Sequence, residues 1–270
     1  MSGFLTRACA VAAVGVAVGM WGVTAASASG GGRATIHHGA LGPAGVAAGG
    51  GGALRLTRHA HAVGVGANAP ARTRTFAGYQ AAVAAGSATV VRASFTLPAL
   101  SCTTATRAIL PGAGVAVSHN NASVASVITA CVRGKARYFA AAITNGKATV
   151  SGTSFAAGDV IDLTTKVSTN RTKVEVTDVT TGVTVKRRGV GASARAAFVG
   201  DDALLSNSGA LLHVPDFGKL TFKDCTIDGT ALGGLHPRAF QRVNSNGTVQ
   251  ISTGGFFPGG TAFSTHFKHS

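Results

Sequence analysis

Glutamate is almost missing from this sequence. Glu175 is the one example in 270 residues, and only nine acidic residues stand against 24 lysines and arginines. None of the nine precedes Asp159. A charged fraction of 12%, about half the usual share, argues against a charged helical bundle. Aromatic residues are scarce too, at 6% with one tryptophan. They are nowhere interleaved with basic residues in the way that reads bases, so no specific nucleic-acid partner is expected. No stretch after residue 28 is apolar for long enough to cross a bilayer, and no segment holds a helical period for long.

What is present points to a secreted, sheet-rich protein. The apolar fraction of 46% can support a real core, and 38 glycines give a loop-rich texture. The formal net charge of +15 draws such a chain toward anionic polymers. Residues 1–28 carry Arg7 near the start, an apolar run over 8–23, and the small residues Thr24-Ala25-Ala26-Ser27-Ala28. That is the pattern of a secretory signal peptide, with cleavage expected near Ala28 and an extracellular destination.

Residues 29–75 have glycine runs at 30–32 and 49–52 and almost no large apolar side chains. Too little of this stretch can be buried to offset the entropy of ordering it, so a disordered linker or degenerate propeptide is expected. His37, His38, His59 and His61 fall inside it. A loose tether presets no coordination geometry, so no metal is expected there, and no cofactor is expected anywhere.

From residue 76 to 270 the texture changes to short runs of valine, threonine, phenylalanine, isoleucine and alanine between turn residues. Strands are expected at 90–97, 114–118, 124–132, 136–143, 160–167, 173–179, 183–187, 194–199, 220–227, 248–252 and 262–267. Asn145-Gly146, Thr181-Gly182 and Asn246-Gly247 mark turns between them. Many short antiparallel strands in one domain mean an all-β sandwich or jelly roll. Cys9 leaves with the signal, so Cys102, Cys131 and Cys225 remain, one pair and one odd thiol.

The run Ala196-Ala197-Phe198-Val199-Gly200-Asp201-Asp202, followed by Val214-Pro215-Asp216-Phe217-Gly218-Lys219-Leu220-Thr221-Phe222, resembles the glutamic peptidases, or eqolisins. There an A-E-W/F-I-x-E run precedes a P-L/F-x-x-F-x-x-V/L-x-F run. Shorter likenesses follow in the right order. Phe76-Ala77-Gly78-Tyr79 is similar to the opening W-A/S-G-Y, Val127-Ile128-Thr129-Ala130 to the V-x-Q-x-G strand, and residues 138–143 to Y-x-A-W-x-E.

The resemblance implies a concanavalin-like β-sandwich of two curved antiparallel sheets with a groove on the concave face. It implies a disulfide between Cys102 and Cys131, leaving Cys225 unpaired. In the family a glutamate serves as general base and a glutamine stabilises the oxyanion. Here Ala197 and Thr129 stand at those positions, and neither replaces the lost chemistry. Asp201 and Asp202 read as the start of the loop after the catalytic strand, and His119, Asn120, Thr129, Tyr138, Asp201 and Asp202 are the groove candidates.

Two local constellations have ordinary readings. Ser206, His213 and Asp216 include the residue types of a nucleophilic triad but lack a nucleophile elbow, and Lys186, Arg187, Arg188 and Arg195 form a basic hairpin end. The expectation is a monomeric, non-catalytic or very weakly active eqolisin-like protein that binds a peptide or an anionic extracellular polymer in its groove. The alternatives are an acid endopeptidase with an altered dyad and a carbohydrate-binding lectin-like module.

Overall fold

The computed structural model describes residues 69–117, 121–205 and 210–269, with the backbone of three short strands, Ala34–His37 (β1), Val46–Ala47 (β2) and Arg55–Leu56 (β3). The expected signal segment, His38, His59, His61, His119, Asn120 and Ser206 lie outside the described residues.

The remaining strands are Ala71–Thr73 (β4), Phe76–Ala82 (β5), Thr89–Thr96 (β6), Arg107–Ala116 (β7), Ala122–Val132 (β8), Lys135–Thr144 (β9) and Lys147–Phe155 (β10). After them come Val160–Val167 (β11), Arg171–Asp178 (β12), Thr184–Val190 (β13) and Ala196–Ala203 (β14). Lys219–Ile227 (β15), Thr230–Ala231 (β16), Arg238–Val243 (β17), Val249–Phe256 (β18) and Phe263–Phe267 (β19) complete the chain, with one 3₁₀ turn at Leu232–Leu235.

Hydrogen bonding runs as one ladder folded over on itself. The front layer is ordered β10–β9–β8–β7–β14–β5–β17, with β1 beside β10. From β17 the ladder passes through β18 to β19 and on to the back layer, ordered β19–β15–β6–β11–β12–β13. Register shifts interrupt both pairings of β18, and such bulges bend a sheet where it must turn a corner. The expected all-β sandwich of curved antiparallel layers is the fold found.

Between the layers lies the main core. Ala77, Tyr79, Val115, Ala125, Val127, Ala140, Ala197 and Val199 from the front meet Val91, Phe95, Ile161, Leu163, Val174, Val176, Leu220 and Phe222 from the back. Thr165 stitches the layers together. Its buried hydroxyl reaches from β11 into the front ladder, accepting from Ala125 N at 2.9 Å and donating to Ala113 O at 2.8 Å. Cys102 and Cys131 are joined by a disulfide, and Cys225 is free and buried, its thiol pushed well above its ordinary range by burial.

Among the strands from residue 71 onward, the sequence reading misses β4, β5, β10, β16 and β17 and cuts β7, β13, β14 and β18 short. β17 (RAFQRV) and β10 (KATVSGTSF) lack a clean apolar alternation, and tertiary pairing alone makes them strands. β4 brings the ordered domain back before residue 76. It runs parallel to β17, and the Thr73 hydroxyl accepts hydrogen bonds from the backbone N–H groups of Thr75 and Phe76 at 3.0 and 3.1 Å.

Candidate functional site

Residues paired across strands share a face of the sheet, so register fixes what each candidate looks at. Ala197 sits between Ala81 and Val115, and Thr129 between Ile109 and Tyr138. Ala197, Ala81, Val115, Ile109 and Tyr138 all belong to the core between the layers. The β14 residue level with Ile109 is Ala203, six positions beyond Ala197. At about 3.3 Å per residue the two positions are some 20 Å apart along the strands. Ala197 and Thr129 therefore point inward and do not face one another across a site. Thr129 is fully buried, its hydroxyl without a hydrogen-bond partner among the described residues.

Tyr138 also belongs to this inner core, not to a groove. It is 4% exposed, and its phenol donates to Pro98 O at 2.7 Å. His213 and Asp216 act locally. The His213 backbone bridges to Arg107, and the Asp216 carboxylate accepts from Gly218 N at 3.0 Å.

The outward side of the front layer has a different character. One cross-strand row reads Phe240, Gly78, Gly200, Gly112, Ser126, Ala141. Glycine is required here first by the close approach of neighbouring strand backbones, a Cβ on Gly78 or Gly200 meeting the facing carbonyl of Val199 or Ala77, and then by the rings lying on the sheet. Phe76 packs edge-on against Phe198 at 5.7 Å and against Phe240 at 5.9 Å between centroids. A Cβ on Gly78 would come within 2.6 Å of Gly200 Cα and 2.9 Å of Phe76 Cζ, and one on Gly114 within 2.5 Å of Phe198 Cζ. Leu110, Val124, Ile128 and Ile143 extend this second apolar cluster, joined by Leu204 from the segment after β14 and, at its rim, by Phe139 and Leu212. Ser126 turns its hydroxyl to Pro111 O at 2.8 Å.

Asp201 and Asp202 correct the sequence reading most sharply. They lie within β14, not at the start of a loop, and are 0% and 2% exposed. Adjacent residues on a strand point to opposite faces. Asp201 is level with Ala77 of the inner core, and Asp202 with Phe76 and Leu110 of the outer cluster. Burial raises Asp201 to about 7, against the opposing pulls of the Thr265 hydroxyl and the Arg242 guanidinium. Asp202 is pushed well above the usual carboxylate range by burial and by Asp201, with Arg242 opposing.

Arg242 is 1% exposed, and burial lowers it to about 10, so it stays cationic at neutral pH. Its Nη2 donates to Leu212 O at 2.8 Å, holding the segment after β14 in place. Among the described residues neither oxygen of Asp201 has a hydrogen-bond partner, nor do Arg242 Nε and Nη1. Sequence reasoning does not pick out Arg242. The one available signal is an arginine pair, Arg238 and Arg242, flanking Phe240 in an otherwise strand-length segment.

A family model described as the peptidase A4 family matches residues 74–255, well over half of the sequence and nearly all of the described sandwich. The chain belongs to the peptidase A4 family. Solved structures agree on the fold. Scytalido-glutamic peptidase with a transition-state analogue inhibitor aligns with a TM-score of 0.58 at 17% identity, covering 72% of this chain and 100% of that one. SCP-B, an eqolisin in complex with the tripeptide Ala-Ile-His, aligns at 0.57 and 17% identity, over 72% and 98% of the two chains. Aspergilloglutamic peptidase from Aspergillus niger aligns at 0.50 and 18%, over 61% and 99%. No curated protein sequence matches significantly. Among the described residues no helix is long and apolar enough to cross a membrane.

The one glutamate of this peptidase A4 member lies far from the front layer's outward face. Glu175 is on β12 of the back layer, level with Thr164 and Lys186, and binds Lys173 Nζ at 2.7 Å and Lys186 Nζ at 3.1 Å. The hydrogen bond from Lys173 is the main reason its carboxyl sits below the usual range.

Proposed function

We propose that this peptidase A4 member is a secreted protein that lacks glutamate-dependent proteolysis and takes an extended peptide along the half-buried rim of the apolar cluster on its front layer. The observation that carries this reading is the position of Glu175. A general base must reach the attacking water to within about 3 Å, and the chain's only glutamate is engaged by two lysines on the back layer. Support for a peptide ligand comes from the half-buried rim formed by Gln80, Ala116, Phe139 and Leu212 around the apolar cluster, and from the tripeptide held by the similar SCP-B.

A second reading is favoured by one feature, the buried carboxylates in the strand that carries the family signature. Asp201, held near 7 by burial, has the acidity of a general acid or base, which would make the chain an acid endopeptidase with an altered dyad. Its complete burial and the opposite orientation of Asp202 weigh against that reading.

The test is cleavage of a denatured protein substrate by the mature chain from pH 2 to pH 7, beside Asp201→Asn and Asp202→Asn variants. No cleavage, with retention of the denatured substrate that Phe139→Lys lowers about tenfold, is the expected result. Cleavage abolished by Asp202→Asn or Asp201→Asn carries the second reading instead. Cleavage that survives both substitutions overturns the map of the site.

A further inference from the structure

The outward side of the back layer is as polar as that of the front layer is apolar, and its charges fall into rows. Strict alternation turns Arg92 on β6, Lys166 on β11, Arg171 and Lys173 on β12, and Lys186 and Arg188 on β13 away from the core, while Val91, Val167, Thr172, Val174 and Val176 are buried. Lys166 is level with Lys173, and Lys173 with Arg188, so three cations stand side by side across three strands. The neighbouring row reads Arg92, Thr164, Glu175, Lys186. With strands about 4.8 Å apart, the cationic row spans roughly 10 Å, and successive rows on one face are some 7 Å apart.

Like charges placed directly opposite one another on a sheet cost stability. Here Glu175 is the carboxylate set among these cations, and its two lysine partners already use both of its oxygens. Asp228 borders the cationic row, its carboxylate accepting from Val90 N at 2.6 Å on the β6 residue level with Lys166, while Asp162 and Asp224 stand at the far end of the strands. Asp162 is level with Ser94 and Thr177, and Asp224 accepts a hydrogen bond from the Ser94 hydroxyl at 2.8 Å. Both ends of this side carry mixed charge, since Lys223 is level with Ser94 beside Asp162 and Asp228 borders Lys166, but the uninterrupted run of cations is the row across β11, β12 and β13. The residues between the cations are threonine and valine, with no ring on which a base or a sugar could stack.

We propose that this surface, independently of what the front layer binds, docks a linear polyanion whose charge is carried by phosphate groups along an unstacked chain. A flat, regularly spaced set of lysines and arginines matches a flexible polymer bearing an anion on every repeat, and release of its counterions supplies the driving force. The missing aromatics disfavour single-stranded nucleic acid, which gains much of its affinity from base stacking.

The experiment is titration of the full mature chain with inorganic polyphosphate over a range of salt concentrations. It is repeated for the triple variant Lys166→Gln, Lys173→Gln, Arg188→Gln and for a charge-matched control at the exposed hairpin positions, Arg133→Gln, Lys135→Gln, Arg137→Gln. All six positions are on the surface, and thermal melts check that both variants fold.

The expected result is at least a tenfold loss of affinity, with the salt slope reduced by about 2 to 3, for the back-layer variant alone. Equal losses in both variants would show attraction by net charge only and would overturn the proposal. So would absence of binding at low salt, or stronger binding to single-stranded DNA or phosphatidylserine vesicles than to polyphosphate.

Discussion

The two layers share one core but present opposite outward sides. β12 alternates buried and open positions residue by residue, while β7, β8 and β14 are buried almost throughout. A strand covered on one side needs apolar residues at every second position, and a strand covered on both needs them everywhere. The front layer therefore has little room for charge. The exceptions are Asp201, Asp202 and Arg242, and there burial holds the two carboxyls toward their neutral form while Arg242 stays cationic. The back layer can carry cations freely, and does so beyond what its own stability favours.

The largest test of this contrast is steric. Gly78→Ala places a Cβ against Gly200 and Phe76 at φ +146°, where a side chain is strained in any case. We expect a loss of about 3 to 5 kcal/mol in urea unfolding. A loss below about 1 kcal/mol would mean that β5 and β14 are not closely apposed at Gly78 and Gly200.

A smaller effect separates the buried carboxylates from the exposed ones. The native chain holds the Asp201 proton more tightly than the unfolded chain does. This stabilisation is complete below the ordinary carboxylate range and disappears as pH rises through about 7. Unfolding free energy should fall by a few kcal/mol, to order of magnitude, between pH 4 and pH 7. Asp201→Asn should flatten much of that fall, leaving the part due to Asp202. Stability that instead rises with pH across this window would show that the carboxyl is ionised in the fold, paired with Arg242.

The smallest effect lies on the open side. Glu175→Gln should change stability by no more than about 1 kcal/mol, since its two ion pairs are partly solvated. Releasing Lys173 and Lys186 should tighten polyphosphate binding a few-fold. Unchanged binding would mean that neither lysine contributes to the cationic surface.

Much of the fold is legible in the amino-acid sequence. β6, β11 and β12 announce themselves by alternation, and the turn at Asn145-Gly146 falls between β9 and β10 with both residues at positive φ. The family likeness on β14 leads to the right fold. It does not lead to a site, because matching short motifs by residue type leaves the face of the strand undetermined, and a face is a matter of register. The order of motifs makes partners of Thr129 and Ala197, whereas β7 between them sets their separation.

The sequence by itself determined the all-β class, the scarcity of glutamate, the excess of positive charge and the apolar positions that become the inner core. These follow from local preference and composition, which need no knowledge of what packs where. Only the tertiary structure decided that Asp201 and Asp202 are buried, that Arg242, buried on a strand some forty residues later, is near enough to act on both electrostatically, and that Lys166, Lys173 and Arg188 stand in one line. Each of these is set by strand pairing between distant segments, and pairing is fixed by the burial of whole faces at once rather than by any residue alone.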